Sequence, residues 1–427
     1  MKQGKIFFGW YVAGIGMMSL LFAYGIRAAF AIFFPYILQD LQISRTLLSG
    51  AVSLSLAVNV VLTPVAGIAV DRYGPKWLIS GGAFLCGVSL ISMPLVFSLW
   101  HLYLLYGVLF AVGVNFMGMT VSNSMCINWF IKKRATAIAI SSSGVALGAA
   151  IFNPVSQKLI VAFGWKTAFA VIGALFFVVV IPLAMVFAKK RPEDMGLSTD
   201  GDDPEIARQT ATFVEAVIQK EILFKLGEVV RTSNFWLMTM GYLILAMCYG
   251  FLLHIVAYCV DKGIPASDAA WALGYMAIVG IAARFLWAPL NDKLNNRKVS
   301  VVSGFFLYAI GWLVLLWINE SMHLYIAATI LGFGGSGIAL LPALVGDQFG
   351  RWSMGKVYGF VSFFGAIGGA IGPIIAGFIY DTTQSYMIAW QIAVVASVLG
   401  ATGFLFVGKS PYDMRKEEQE SAASTEK

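Results

Sequence analysis

Long apolar runs separated by short polar segments dominate the chain. A membrane-spanning helix needs about 20 mostly apolar residues, and about twelve such runs can be marked out. They fall in two sets of six, near 9–36, 46–70, 77–97, 101–127, 135–157 and 165–188, and near 234–260, 269–290, 299–318, 322–345, 355–379 and 385–407. This pattern predicts an all-α membrane protein with twelve transmembrane helices in two pseudo-symmetric six-helix bundles.

The polar segments between the runs divide the chain into four predicted units. The first bundle occupies 1–188 and the second occupies 233–408. Between them, 189–232 is polar enough to be a cytoplasmic linker and is expected to contain an amphipathic helix. Residues 409–427 are expected to form a cytoplasmic tail.

Composition supports lipid as the main solvent. Charged residues make up 12% of the chain, against roughly 25% in an average soluble domain. The four cysteines lie in apolar runs without metal-ligand spacing, so we expect neither disulfides nor a metal site, and no cofactor. The amino terminus leads into the first run without a small-residue cleavage site, so this run is expected to remain as a helix.

The distribution of basic residues predicts the orientation. When the loops are assigned to alternate sides, the side opposite the termini holds only Arg45, Lys158, Lys166 and Lys262. Because Lys and Arg accumulate in cytoplasmic loops, both termini are predicted to be cytoplasmic, in a bacterial inner membrane. The net charge of +7 therefore reflects topology and does not indicate a nucleic-acid partner.

The two halves also repeat each other at a nearly constant offset, which indicates an internal duplication. Asp40 corresponds to Asp261 at the end of the first helix of each half. The loop 67–76 corresponds to 288–298, so that Asp71 matches Asp292.

One loop carries a recognisable motif. Gly67, Asp71, Arg72, Gly74 and Lys76 match the G-x-x-x-D-R-x-G-x-K signature between the second and third helices, and the chain thereby resembles the major facilitator superfamily. We expect the loop residues of both halves to act as gate elements that latch the cytoplasmic end. These residues are Gly67, Asp71, Arg72, Gly74, Lys76, Asp292, Lys293 and Arg297.

Within that superfamily, the chain resembles the monocarboxylate-transporter and oxalate/formate-antiporter branch. The similar stretches are Phe7–Ala13, Trp129–Gly144 and the helix 8 run that contains Arg284. The resemblance implies that this arginine holds the substrate carboxylate. The chain departs from the branch at Gly365, where oxalate-type members have lysine, and at Gly280, where animal monocarboxylate carriers have aspartate.

Two arginines, Arg27 and Arg284, lie well inside predicted spans. A charge near the bilayer centre costs roughly 2.5–3.5 kcal/mol on insertion scales, so it is usually functional. No Asp or Glu lies at comparable depth, and guanidinium matches a carboxylate, so we predict an anion-binding cavity. The alternatives are a structural Arg284 bonded to helix carbonyls and an Arg27 that extends to the membrane interface.

Four further residues are candidates for substrate contact. Tyr24 shares a helix face with Arg27 by i, i+3 spacing. His254 and Tyr258 share a face of helix 7. His254 is a candidate for proton coupling, because histidine side chains titrate in the physiological range, or it is a simple interfacial hydrogen-bonding group. Asn115 either contacts substrate or bonds two helices together.

These observations predict a secondary active transporter of small organic anions, of the lactate, pyruvate or formate kind, with a proton as candidate co-substrate. We expect it to function as a monomer in the lipid bilayer. The alternatives are an exchanger for dicarboxylates or other organic acids, and a transporter-like membrane sensor. An enzyme is not expected, because His101, His254 and His323 are scattered and no nucleophile, base and orienting group occur together.

Overall fold

The structure is a computed structural model, which describes residues 7–201, 224, 226–294, 297–350, 354–415, 417 and 421. Throughout these residues the regular secondary structure is helical. The predicted amphipathic helix of the linker falls mostly at 202–223, outside the described residues. The end of the predicted tail also lies outside them.

Eleven helical stretches of the described chain are long and apolar enough to cross a membrane, and the longest, Thr136–Phe187, contains two spans. Gly164 divides it, with φ 78° and ψ 160°, a left-handed φ that glycine adopts without a steric penalty. The twelve helices are α1 Gly9–Leu41, α2 Arg45–Tyr73, α3 Pro75–Ile91, α4 Leu99–Trp129, α5 134–163, α6 165–187, α7 Ser233–Asp261, α8 Ala266–Leu294, α9 Arg297–Leu316, α10 Ser321–Phe349, α11 Met354–Thr383 and α12 Met387–Leu405. The all-α prediction is confirmed.

Local sequence explains where several helices begin and turn. The Ser44 side chain accepts a hydrogen bond from Leu47 N at the start of α2, which satisfies an otherwise free helix N–H. Between α2 and α3, Gly74 has φ 80° and Pro75 occupies the first helical position. A left-handed glycine followed by proline ends one helix and starts the next within a single residue.

Small residues bring the helices of each half into close contact. In the first half, Gly25 of α1 packs on Gly148 of α5 with their backbones touching. In the second half, Gly368 and Gly372 of α11 pack on the backbone of α7. Association of helices in lipid depends on such close packing, because burial of apolar surface supplies no driving force there.

Gly148→Val is expected to lower the thermal stability of the purified protein by several degrees. A Cβ at this position meets the backbone of Leu21 and Gly25, and overpacking of this kind typically costs about 1–3 kcal/mol. Thermal unfolding in detergent measures the effect. Gly14→Val is the matched control, because a Cβ there meets nothing; equal melting temperatures for the two variants would contradict the packing argument.

The two halves contact each other at one end of the helices. Gly377 of α11 packs on the backbone of Arg45 and Thr46 in α2. Gly274 of α8 packs on Ala150 of α5. We call this the closed end.

The opposite end, where both chain termini lie, is the open end. There Thr63 on α2 and Arg284 on α8, which belong to opposite halves, both have exposed side chains. We infer from this exposure that a central cavity lies between the halves and opens at this end.

Candidate functional site

Arg284 lies on the wall of the central cavity. On α8, Trp287 donates a hydrogen bond from Nε1 to the Phe333 carbonyl of α10 at 3.0 Å, whereas Gly274 packs on α5. At 100° per residue, Arg284 falls between these two contact faces and away from the lipid-exposed Leu286. Its guanidinium has no hydrogen-bond or ion-pair partner among the described residues, so it is available to an anion in the cavity.

Arg27 lies deeper in the first half and is only partly exposed. Its Nη2 donates to Ser55 Oγ of α2 at 3.3 Å. Its guanidinium carbon is 5.7 Å from the centre of the Tyr24 ring, so the two side chains share one face as the spacing predicts. Among the described residues Arg27 has no carboxylate partner, which leaves its charge unneutralised by the protein.

The two arginines lie at different depths. Gly25 packs on Gly148, and Gly274 packs on Ala150, two residues farther along the same helix. Arg27 follows Gly25 by two residues on α1, just as Ala150 follows Gly148 on α5. Arg27 is therefore level with Ala150 and so with Gly274. Arg284 lies ten residues beyond Gly274 on a helix that runs toward the open end, a displacement of about 15 Å at 1.5 Å per residue. The arginines thus form two separate positions and not one clamp.

Asn115 of α4 links two helices of the first half. Its Nδ2 donates to the Asn59 carbonyl at 3.0 Å and to Thr63 Oγ1 at 3.2 Å, both on α2. The helix-bonding alternative is therefore realised. The Asn115 Oδ1 nevertheless remains buried without a hydrogen-bond partner, so the side chain retains an unused acceptor.

His254 is fully buried at the closed end and does not reach the cavity in this state. Its Nε2 is 2.9 Å from the Pro373 carbonyl and 3.1 Å from Ser49 Oγ of the first half. Because a carbonyl only accepts, Nε2 carries the hydrogen, and Nδ1 accepts from Tyr386 Oη at 2.9 Å. Burial raises the pKa of the Tyr386 phenol, so this donor keeps its proton. Instead of the expected contact with substrate, His254 makes a hydrogen bond to Ser49 of the other half.

Tyr258 also faces away from the cavity. Its hydroxyl donates to the Leu315 carbonyl of α9 at 2.6 Å, and its ring packs edge-on against Trp390 of α12. The side chain is 5% exposed. Tyr258 and His254 do share a face of α7, since both contact Tyr386, but that face packs against neighbouring helices.

Arg45 is the centre of a charged cluster that seals the closed end. Its guanidinium binds Asp261 through two contacts, Nη1 to Oδ2 at 2.8 Å and Nη2 to Oδ1 at 2.9 Å. Nη1 also donates to Tyr386 Oη at 2.7 Å, and the guanidinium carbon lies 3.5 Å from the centre of the Tyr380 ring. Arg45 is in the first half and the other three residues are in the second, so the cluster joins the halves.

Asp381 of the second half caps the first helical turn of α2. Its carboxylate accepts from Arg45 N at 3.1 Å and from Thr46 N at 2.9 Å. Thr46 Oγ1 donates to the same carboxylate at 2.5 Å. An acidic group is favoured at this position by the free N–H groups and the helix dipole. Here the cap comes from the opposite half, so it exists only while this end is closed.

Comparison with known families identifies this architecture. The model of the Major Facilitator Superfamily matches residues 16–284 and 260–426. The chain belongs to the Major Facilitator Superfamily. The resemblance inferred from the loop signature is thereby confirmed, and so is the prediction that the protein is a transporter and not an enzyme.

Two curated transporters of the superfamily illustrate its relatives. The hexuronate transporter of Bacillus subtilis (strain 168) is 27% identical over 405 residues, covering 87% of this chain and 89% of that protein. Monocarboxylate transporter 2 of Homo sapiens is 24% identical over 418 residues, covering 94% and 85%. The second relative bears out the resemblance to monocarboxylate transporters.

Solved structures show the same fold. A bacterial homologue of the human lysosomal transporter Spinster, in an inward-facing and occupied conformation, gives a TM-score of 0.74 at 15% sequence identity. The match covers 95% of this chain and 98% of that one. At this identity the likeness establishes the superfamily fold alone.

The superfamily loop signature lies at the open end. Gly67 lies within α2 and Gly74 closes it, while the Asp71 carbonyl accepts a hydrogen bond from the Lys190 ammonium. Arg72 is exposed and Lys76 is half-buried, and each lies beside the aromatic ring of the next residue. None of these residues bonds to the other half among the described residues, as expected when this end is open.

The matching residues of the second half are described in part. Arg297 of α9 forms an ion pair with Asp347 of α10. Lys293 is exposed near the end of α8. The side chain of Asp292 lies outside the described residues, so its predicted gating role stays a prediction.

Sequence reasoning assigned Arg45 only to topology and did not anticipate the seal. A signal was present, because Arg45, Asp261 and Asp381 all lie at helix ends on the side opposite the termini. Opposite charges on the same face of two halves that must meet are candidates for an ion pair. Which residues pair could not be derived without the packing of α2 on α11.

Proposed function

We propose that this superfamily member is a secondary active transporter of small organic anions that works by alternating access. The observation that carries the proposal is the pair of cavity arginines, Arg27 and Arg284, without a carboxylate partner in the described chain. A cation at membrane depth without a counter-ion is costly, and an anion in the cavity offsets that cost through charge-assisted hydrogen bonds.

The substrate is expected to be a monocarboxylate of the lactate, pyruvate or formate kind. The names of the two curated relatives, hexuronate transporter and monocarboxylate transporter 2, both denote carboxylate cargo, which supports this choice. Exchange of dicarboxylates remains the second candidate. The separation of about 15 Å between the arginines, from helix rise, argues against one small dicarboxylate bridging both at once.

The orientation follows from the basic loops. With both termini in the cytoplasm of a bacterial cell, the open end faces inward and the Arg45 seal faces outward, so this is an inward-facing state. The loop residues around Asp71 are proposed to latch the inner end in the opposite state. Transport is proposed to require a single chain, with a proton as candidate co-substrate.

Counterflow of labelled lactate in proteoliposomes tests the proposal. Liposomes preloaded with unlabelled lactate should accumulate label transiently if the protein is a carrier, whereas protein-free liposomes should not. A pH gradient without a membrane potential should drive net uptake in a proton symporter, while an exchanger should respond only to substrate on the far side. Absence of counterflow with every organic anion tried would favour the sensor alternative.

A further inference from the structure

A polar stripe runs along α2 beside Arg27. Ser55, Asn59 and Thr63 recur every four residues, so they lie close together along one side of the helix. Thr63 follows Arg45 by 18 residues, which is five full turns, so both point to the same side of α2. Arg45 contacts the second half at the closed end; Thr63 therefore also points toward the second half, and its exposed side chain is placed on the cavity wall.

Hydrogen bonds hold this stripe in place. Asn59 Nδ2 donates to the Ser55 carbonyl at 2.7 Å, and Thr63 Oγ1 donates to the Asn59 carbonyl at 2.7 Å. Asn115 of α4 then donates to the Asn59 carbonyl and to Thr63 Oγ1. These hydrogen bonds thus hold the polar side chains of the stripe in fixed orientations.

A buried polar atom beside the stripe has no partner. Asn115, 7% exposed, leaves Oδ1 without a hydrogen bond, although its Nδ2 donates to Asn59 and Thr63 of the stripe. Buried polar atoms are nearly always paired, and an orphaned one calls for a missing partner. A ligand hydroxyl is a partner that donates to Oδ1.

The spacing of these groups sets the size of the ligand. Arg27 contacts Ser55, and Asn115 contacts α2 one to two turns farther along, so the two are separated by roughly 5–11 Å, from the 5.4 Å pitch of a helix. With a hydrogen bond of about 2.8 Å at each end and about 1.5 Å per carbon–carbon bond, a three-carbon acid spans only the lower part of this range. An extended five- or six-carbon acid reaches both.

We propose that the first-half wall of the cavity is a site for polyhydroxylated carboxylates, such as aldonic or uronic acids. Arg27 binds the carboxylate, and Asn115 Oδ1 and Thr63 Oγ1 bond to hydroxyls along the chain. This inference rests on the proposed function, transport of small organic anions, and favours longer hydroxylated carboxylates over the one- to three-carbon acids named there. A site built to bond hydroxyls discriminates strongly against an analogue without them, because its own polar groups are then left unpaired.

Calorimetric titration of the purified full chain tests this with two six-carbon acids, gluconate and hexanoate, which differ in their hydroxyls. Gluconate is expected to bind at least tenfold more tightly. Asn115→Ala and Thr63→Val are expected to reduce that ratio about tenfold. Thr63→Val is nearly isosteric at an exposed position, so it keeps the test valid if the Asn115 variant does not fold.

Asn153→Ala is the matched control, because Asn153 is equally buried with an unpartnered Oδ1 but lies on α5; it should leave the ratio unchanged. The inference is overturned if hexanoate binds as tightly as gluconate, or if the Asn115 and Thr63 variants weaken both acids equally. Lactate counterflow, measured in parallel, separates failure of this inference from failure of the proposed function. Its presence without a gluconate preference removes only this inference, whereas absence of both lactate counterflow and gluconate binding removes the proposed function.

Discussion

Arg284→Ala is expected to reduce anion transport in proteoliposomes by at least 100-fold while the protein remains folded in the membrane. The Arg284 side chain is exposed on the cavity wall and has no partner in the described chain, so its removal breaks no packing. A charge-assisted hydrogen bond contributes about 1.5–3 kcal/mol, and a bidentate pair contributes more. Initial rates of lactate counterflow, normalised to reconstituted protein, measure the loss.

Two further variants complete this test. Arg284→Lys keeps the charge but not the planar fork, so partial activity is expected. Arg191→Ala removes an exposed arginine outside the spans and should leave transport intact. Wild-type rates in the Arg284→Ala protein would show that this arginine is structural and would leave Arg27 as the remaining candidate to bind the substrate carboxylate.

Asp381→Ala is expected to shift the protein away from the state described here and toward one open at the Arg45 end. The variant removes the carboxylate that accepts hydrogen bonds from Arg45 N, Thr46 N and Thr46 Oγ1. Because the carboxylate is partly exposed, we expect its removal to destabilise the state closed at this end by about 2 kcal/mol, the middle of the range for charged hydrogen bonds. That changes the ratio of the two states about 30-fold, at 1.4 kcal/mol per factor of ten.

Spin labels at the exposed Gln42 and Gln384 report the separation of the halves at this end. The four native cysteines are buried, so introduced cysteines can be labelled selectively. The distance distribution should move to longer values in Asp381→Ala. In the control Asp40→Asn it should not, because the Lys166–Asp40 pair lies within the first half and exposed pairs contribute little. An unchanged distribution in both variants would mean that the seal depends on packing alone.

Much of the fold was predictable because spanning length and loop charge are local properties. Each predicted run coincides with an observed helix to within six residues at either end, and the break at Gly164 separates the two spans that form one continuous helical stretch. The position of Arg27 and Arg284 well inside their spans also followed from residue counting, as did the shared face of Tyr24 and Arg27.

The direction that each side chain faces was harder to predict. Helices in a membrane bundle are apolar on nearly every side, so no polar face marks the side toward the cavity. His254 and Arg284 were therefore both candidates for substrate contact in the sequence. The packing of α7 on α11 buries His254 between halves, whereas Arg284 falls between the two contact faces of α8.

The sequence by itself determined the twelve spans, the duplication, the superfamily signature and the presence of two cations without acidic partners in the spans. All of these depend on which residues stand at which positions along one chain. Only the tertiary structure decided that the arginines lie at different depths, that Arg45, Asp261 and Asp381 seal one end, and that Asn115 keeps an unused acceptor beside Arg27. The physical reason is that each of these depends on contacts between helices far apart in sequence, whose register is set by close packing of small residues such as Gly148 and Gly274.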